Sequence, residues 1–396
     1  MFQLVVNGGT GDMVKRQFDT STIFAATALL LVMLPAMRPA EKYLGSWLWW
    51  FPYAAICFLL LSSIALRQQG YLAQVLSSKW FIFGTPLIMA IVSTAFYPLA
   101  DGLKVDMQGQ DQDDCTILGV NAILSGENPH AKPSYFGNPC SPLLGAIIPF
   151  IPFALSNLMG LAGPVFFSLS IALLYLQKVN RLQLGTFVAL IAGTPASLEL
   201  MVNGSDFVFI GFISLVAVFM VKKSEYKILS NTELLTLSLI VGLLSSARIS
   251  SLIFAVPFGL ILLFRRNRWV IFTALVTIVS VLPNLAIYLS SPDEYSPLHL
   301  VAKGQSLVPG GFYVLMFAVT LAALVLGAYG LKNRAFDELS LTVLVVSPHL
   351  IFLAFGDLIF NRSFDIFWWE GANYLYLLTP MLSWLVATRL TNQKAA

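Results

Sequence analysis

Residues 141–160 read SPLLGAIIPFIPFALSNLMG. The run is apolar and about 20 residues long, enough in principle to cross a bilayer. If it crosses, Lys178 and Arg181 fall on the outer side and every later loop inverts. Pro142, Pro149 and Pro152 argue against a continuous helix. Each removes a backbone donor and clashes with the preceding turn. The segment therefore reads as re-entrant or interfacial, packed against protein. Non-helical backbone at membrane depth is tolerated only there or beside a wet cavity.

Working outward from it, the whole chain is read as a single membrane domain, residues 1–396. It is 57% hydrophobic and 11% charged, with a mean hydropathy of +0.79. A water-soluble domain carries about 25% charged residues, so lipid must cover most of this surface. The longest polar stretch, 100–141, is too short to build a core of its own. Twelve spans are expected: 21–37, 46–66, 80–99, 161–177, 183–198, 205–221, 232–247, 250–264, 269–290, 311–331, 338–356 and 372–388. The fold class is an all-α polytopic integral membrane protein with the lipid bilayer as its main partner. No nucleic-acid partner is expected. Residues 4–12, LVVNGGTGD, resemble a nucleotide-binding turn, but a span follows where a dinucleotide fold needs a helix and a further strand. They read as a polar tail, not a cleavable signal.

Lys and Arg resist transfer across the membrane and mark the cytoplasmic side. With both termini cytoplasmic, 16 of the 23 Lys and Arg but only 6 of the 20 Asp and Glu lie inside. The polar islands then share the external face. They are the loop 100–141 with Asp111, Asp113 and Asp114, the turn Asn203–Asp206, Arg248, residues 291–295, and residues 367–371. A site, if present, is external. Cys115 and Cys140 also lie in that loop. An oxidising compartment permits a disulfide between them, although two such cysteines can also stay reduced.

Asp113 and Asp114 precede CTILGVNAILS (115–125), whose apolar spacing fits one helical face. Carboxylates at a helix start can cap free amides. A pinned carboxylate can take a proton from a substrate hydroxyl or hold a divalent cation. The D-x-D string Asp111-Gln112-Asp113 is the candidate for such a cation, Mg or Mn.

The order of these features resembles the first external loop of the GT-C superfamily, the multi-span glycosyltransferases that use lipid-phosphate-linked sugars. The run from Asp113 through Gly126-Glu-Asn-Pro-His130 to Ser141-Pro142-Leu143 and Pro149-Phe-Ile-Pro152-Phe153 carries the resemblance. Met201-Val-Asn-Gly204-Ser-Asp206 and Leu243-Leu-Ser-Ser-Ala-Arg248 resemble later elements of the mannosyltransferase-like branch. Coverage is roughly residues 100–265. In the family the catalytic Asp usually follows the first span, whereas here two spans, 21–37 and 46–66, precede the one leading into the loop, and His130 replaces the usual Tyr.

The resemblance implies transfer of one sugar from a polyprenyl-phosphate-sugar donor to a glycan or lipid acceptor. The expected setting is the external face of the bacterial inner membrane. Asp113 or Asp114 would be the catalytic base. Arg248 would contact the departing phosphate, because cations must stabilise that charge. Asn128, His130, Asp206, Lys303, Trp369 and Glu370 are the further substrate-binding candidates, the last two as a sugar-accepting aromatic rim. Inversion at the anomeric carbon follows by analogy. Two other classes compete. A transporter or flippase would show internal repeats and charges deep in the spans, and neither is evident. A polysaccharide polymerase or ligase would carry more than one arginine in a large late outer loop, whereas 291–310 holds only Lys303.

Overall fold

The computed structural model describes residues 20–66, 70–106 and 111–392. The polar N-terminal tail, with its nucleotide-like turn, lies outside the described residues. Among the described residues the protein is helical and has no strand. In chain order the helices begin with α1 (Thr20–Met33), α2 (Met37–Leu44), α3 (Trp50–Leu66), α4 (Tyr71–Ser77), α5 (Lys79–Gly102) and α6 (Gln112–Ser125). They continue with α7 (Leu144–Ile147), α8 (Ile151–Leu155), α9 (Met159–Leu176), α10 (Arg181–Gly193), α11 (Pro195–Val202), α12 (Asp206–Lys222) and α13 (Asn231–Ser245). The last group is α14 (Ala255–Phe264), α15 (Trp269–Ser280), α16 (Leu282–Ser290), α17 (His299–Leu307), α18 (Gly310–Lys332), α19 (Glu338–Gly356), α20 (Ala372–Tyr376) and α21 (Thr379–Asn392).

Six helical stretches among the described residues are long and apolar enough to cross a membrane: 79–105, 159–176, 206–225, 269–290, 310–332 and 338–361. Several other expected spans are short or broken, and the cause is local. In the expected span 21–37, α1 ends at Met33, a 3-10 turn containing Pro35 follows, and α2 starts at Met37. The expected span 183–198 splits at Thr194, and α10 and α11 meet at 68°. Pro195 stands at the first position of α11, where its missing N–H costs nothing. The expected span 372–388 divides into α20 and α21. Residues 144–155 form a short helical run of three contiguous pieces, Leu144–Ile147, the 3-10 turn Ile148–Phe150 and Ile151–Leu155, with Pro149 in the turn and Pro152 at the start of the last piece.

Helix α12 sits at the centre, packed against α9, α13, α19 and α21. Interlocking aromatic side chains fill this core, with Phe166 and Phe209 centred 4.9 Å apart and Phe167 and Phe212 5.1 Å apart. Outer helices turn large apolar side chains outward, among them Trp80, Leu87, Leu99 and Phe317. In water such a surface would be an aggregation hazard. In lipid it is simply solvated.

The bundle has two unlike ends. At one, α12 and α14 finish and α13, α15 and α19 start. Arg265 donates to Ser224 (3.0 Å) and pairs with Glu338, while Lys227 pairs with Glu233 at 2.9 Å. At the other end lie the polar islands of the long loop, the 203–206 turn and Arg248. The tight approach of Gly145 helps build that end. A Cβ there would lie 2.0 Å from the Leu243 carbonyl oxygen. The Gly145 amide donates to the Ser246 carbonyl at 3.0 Å, and the Leu143 amide to the Ala247 carbonyl at 2.9 Å.

Candidate functional site

Helix α5 ends at Gly102 and a tight turn carries Lys104 back toward the start of α6. Asp113 stands in the first turn of α6, as its position before the apolar run suggests. Its partners are not helix amides. Its side chain points inward and is 2% exposed. It accepts from the Tyr97 hydroxyl at 2.6 Å and from the Lys104 ammonium at 3.1 Å. The same ammonium donates to Asp114 at 2.6 Å and pairs with Asp101. Asp114 also accepts from the Tyr135 amide at 3.2 Å. Burial pushes the Asp113 carboxyl above the ordinary carboxylate range and Asp114 adds to the rise. Lys104 and Tyr97 pull the other way.

Oxygens of Asp101, Asp113 and Asp114 lie within 4.8 Å of one another. Such an oxygen set would suit a hard divalent cation, but the Lys104 ammonium already contacts all three. A metal would have to displace it, so the residues do not fit that ion as they stand. The D-x-D pair is divided as well. Asp111 accepts from Asn138 at 2.9 Å and from the Ser134 hydroxyl, while Asp113 belongs to the Lys104 cluster. The spacing of two on the chain sends the carboxylates to different neighbours.

The 203–206 turn closes one side of the cluster. Gly204 is left-handed (φ +62), and a Cβ on it would lie 3.1 Å from Met159 Cβ and 3.5 Å from Asp113 Cβ. Ser205 donates to the Gln112 side chain at 2.7 Å. Asp206 is fully buried and meets Arg248 face to face. Arg248 Nε and Nη2 each donate to one of its oxygens at 2.7 Å, and Nη1 donates to Ser141 at 2.9 Å. The guanidinium carbon lies 4.2 Å from the centre of the Phe207 ring. Paired forks of this kind are the strong, geometrically specific form of the interaction. Each guanidinium nitrogen of Arg248 thus has a protein acceptor, which uses three of its five N–H donors and commits the Nε–Nη2 edge to Asp206.

The rest of the external loop is tied to the same end. A disulfide joins Cys115 to Cys140. Ser296 donates to the Cys140 carbonyl at 2.6 Å. Asn128 accepts from the His130 amide at 3.0 Å and reaches Glu294 at 3.4 Å. His130 is 2% exposed and neither ring nitrogen has a hydrogen-bond partner. Its ring packs edge-on against Tyr295, centroids 5.0 Å apart. Burial depresses its pKa to about 4, so it is neutral at physiological pH.

The expected aromatic rim is half reversed. Trp369 is buried, and its indole N–H donates to the Ala354 carbonyl at 2.8 Å. Trp368 is the exposed member of the pair. Glu370 reaches outward and pairs with Arg362 at 3.0 Å. Lys303 lies exposed on α17. Tyr97 and Lys104 were not among the sequence candidates. The only trace of Lys104 was a lysine three residues after an aspartate at a span end.

An apolar groove of about 770 Å³ runs between α2, α3, α5 and α11, lined among others by Trp50, Tyr53, Phe96, Leu103, Leu198 and Asn203. Leu103 directly precedes Lys104, and Asn203 precedes the Gly204 that rests on Asp113. Two lining residues of the groove are thus chain neighbours of residues that surround the buried carboxylates. Comparison with protein-family models, curated proteins and solved structures returns no match.

Proposed function

We propose that this helical membrane protein is a glycosyltransferase of the GT-C type, working on a polyprenyl-phosphate-linked sugar at the external face of the membrane. The twelve-crossing topology with cytoplasmic termini is part of the proposal, and so is the bacterial inner membrane as its location. One observation carries it: an apolar groove shares the stretches around Leu103 and Asn203 with a buried, hydrogen-bonded carboxylate, Asp113. A lipid-linked sugar needs both, a slot for the chain and a proton acceptor at its reacting head.

The chemistry follows. The acceptor hydroxyl attacks the anomeric carbon and gives its proton to Asp113. The new C–O bond forms as the anomeric C–O bond to phosphate breaks, and the lipid phosphate leaves with the electron pair. Asp113 keeps acceptor capacity for this, since each carboxylate oxygen has two lone pairs and each has one hydrogen-bond donor in the cluster. The raised pKa makes Asp113 a better base than an exposed aspartate. Asp114, with its side chain 19% exposed, is the second candidate. Lys104 fixes both, and positioning of this kind contributes more than basicity.

The break between α10 and α11 supports a second reading, because broken helices build the substrate sites of transporters. The assay that separates them uses purified protein with a panel of polyprenyl-phosphate sugars and acceptors. Transfer that is lost in Asp113→Asn supports the enzyme. Full turnover in both Asp113→Asn and Asp114→Asn overturns the assignment of the base. Movement of intact lipid-linked sugar across vesicles without any transfer favours the transporter.

A further inference from the structure

Helix α2 places Arg38 and Lys42 one turn apart, on the same face. Arg38 is 5% exposed, yet its Nε and Nη1 have no hydrogen-bond partner. The Lys42 side chain is 7% exposed and its ammonium lies 3.8 Å from Glu199, beyond hydrogen-bond length. The Glu199 carboxylate accepts from the Tyr43 hydroxyl at 3.3 Å. Two buried cations thus stand one turn apart on α2, and Glu199 lies within ion-pair distance of Lys42. Leaving charged donors buried without an acceptor is expensive, so the arrangement suits an additional anion.

The neighbouring face of the same helix, Ala36, Pro39, Ala40 and Tyr43, lines the apolar groove, and Glu199 stands at its wall. Positive charge and an apolar slot therefore meet on one short helix. Arg248, the sequence's candidate for a phosphate, has its Nε–Nη2 edge taken by Asp206. We propose that Arg38 and Lys42 receive the phosphate of a prenyl-phosphate lipid whose chain lies in the groove between α2, α3, α5 and α11. This rests on the donor reading above and deepens it by naming the residues that hold the phosphate. Arginine supplies planar paired donors to the phosphate oxygens, and lysine acts as a point charge beside them.

Trp49 and Trp50 line the groove, so chain entry should change the intrinsic fluorescence of the full-length protein in detergent. Three probes are titrated: undecaprenyl phosphate, undecaprenol and inorganic phosphate. The wild-type protein should bind the phosphate lipid at least tenfold more tightly than the alcohol, and inorganic phosphate should compete only weakly. Arg38→Gln should erase that preference while alcohol binding stays within about twofold. Lys42→Gln should reduce the preference several-fold. It carries the test alone if Arg38→Gln does not fold. Equal binding of lipid and alcohol by wild type overturns the proposal. So does an unchanged preference in Lys42→Gln and Arg38→Gln, or inorganic phosphate competing as well as the lipid. Asp113→Asn should keep the full preference while losing transfer. If Asp113→Asn stays active, the base assignment fails and the lipid site stands. If the preference survives in both cation variants while Asp113→Asn is dead, the lipid site fails and the base stands.

Discussion

Two charge clusters, each with a buried carboxylate, lie at the same end of the bundle, and they are built on opposite plans. Arg248 and Asp206 match one cation to one anion, with Ser141 satisfying the remaining guanidinium nitrogen. Lys104 serves three carboxylates at once. The first cluster is balanced and complete. The second holds an excess of negative charge and keeps acceptor lone pairs to spare. Buried charge that is fully matched does a structural job. Buried charge that is left unbalanced is costly, and costly arrangements concentrate where chemistry is done.

Breaking the balanced cluster should have the largest effect. Arg248→Met leaves Asp206 buried and unpaired, a loss of about 3–5 kcal/mol in stability. A combined Arg248→Met, Asp206→Leu protein should recover most of that loss, read as the thermal midpoint in detergent. If Arg248→Met is as stable as wild type but inactive, the contrast between the two clusters collapses and Arg248 returns as a substrate contact.

The next effect is on turnover. Asp113→Asn should lower transfer by about 100-fold or more, within the range of a lost general base, with a far smaller change in thermal midpoint than Arg248→Met. In wild type the base must be ionised. Because burial raises its pKa, kcat should climb with pH through a midpoint above the usual value of about 4 for aspartate. A flat profile across that range would separate Asp113 from the chemistry.

Much of this architecture is readable in the residues, and the unreadable parts share a cause. The helical membrane class follows from the shortage of charge, and the fracture of 141–160 from Pro149 and Pro152. The break at 194 is hard to read because Pro195 lies within an otherwise apolar run, and length alone favours one span. Asp113 stands out through its neighbours on the chain. Lys104 does not, since a lysine at a span end ordinarily snorkels to water. Only the turn between α5 and α6 brings it onto Asp113. The pairing of Arg248 with Asp206 joins residues 42 positions apart, which no local pattern reveals. Trp368 and Trp369 are adjacent and identical in type, so which one turns inward is decided by tertiary partners such as the Ala354 carbonyl on α19.

The disulfide sharpens the comparison from another side, because it holds the α6 end that carries the unbalanced cluster. Its cysteines are 25 residues apart, and closing such a loop restricts the unfolded chain by about 3 kcal/mol. Cys115→Ser with Cys140→Ser should therefore lower the thermal midpoint. It should also slow transfer more than it weakens binding of the lipid, since α2 and the groove wall are not in that loop. Equal losses in both would show that the loop supports the whole end of the bundle.

The smallest expected effect concerns His130, a buried titratable group with no hydrogen-bond partner at its ring. Its folded pKa is depressed to about 4 from 6.5. The unfolded chain thus binds the proton first as pH falls. Stability is fully present above pH 6.5 and drains away between 6.5 and about 4, by roughly 3 kcal/mol at most. Asp113 works in the opposite sense. Its folded pKa is raised, so its contribution is present at low pH and is lost as pH rises through that value. Thermal midpoints of His130→Gln and Asp113→Asn, measured across pH 4 to 7, separate the two. The first variant should flatten the acid-side decline, and the second should steepen it. A decline unchanged in His130→Gln would mean that the imidazole is solvated, and that an unpartnered ring in that loop does not behave as a buried group.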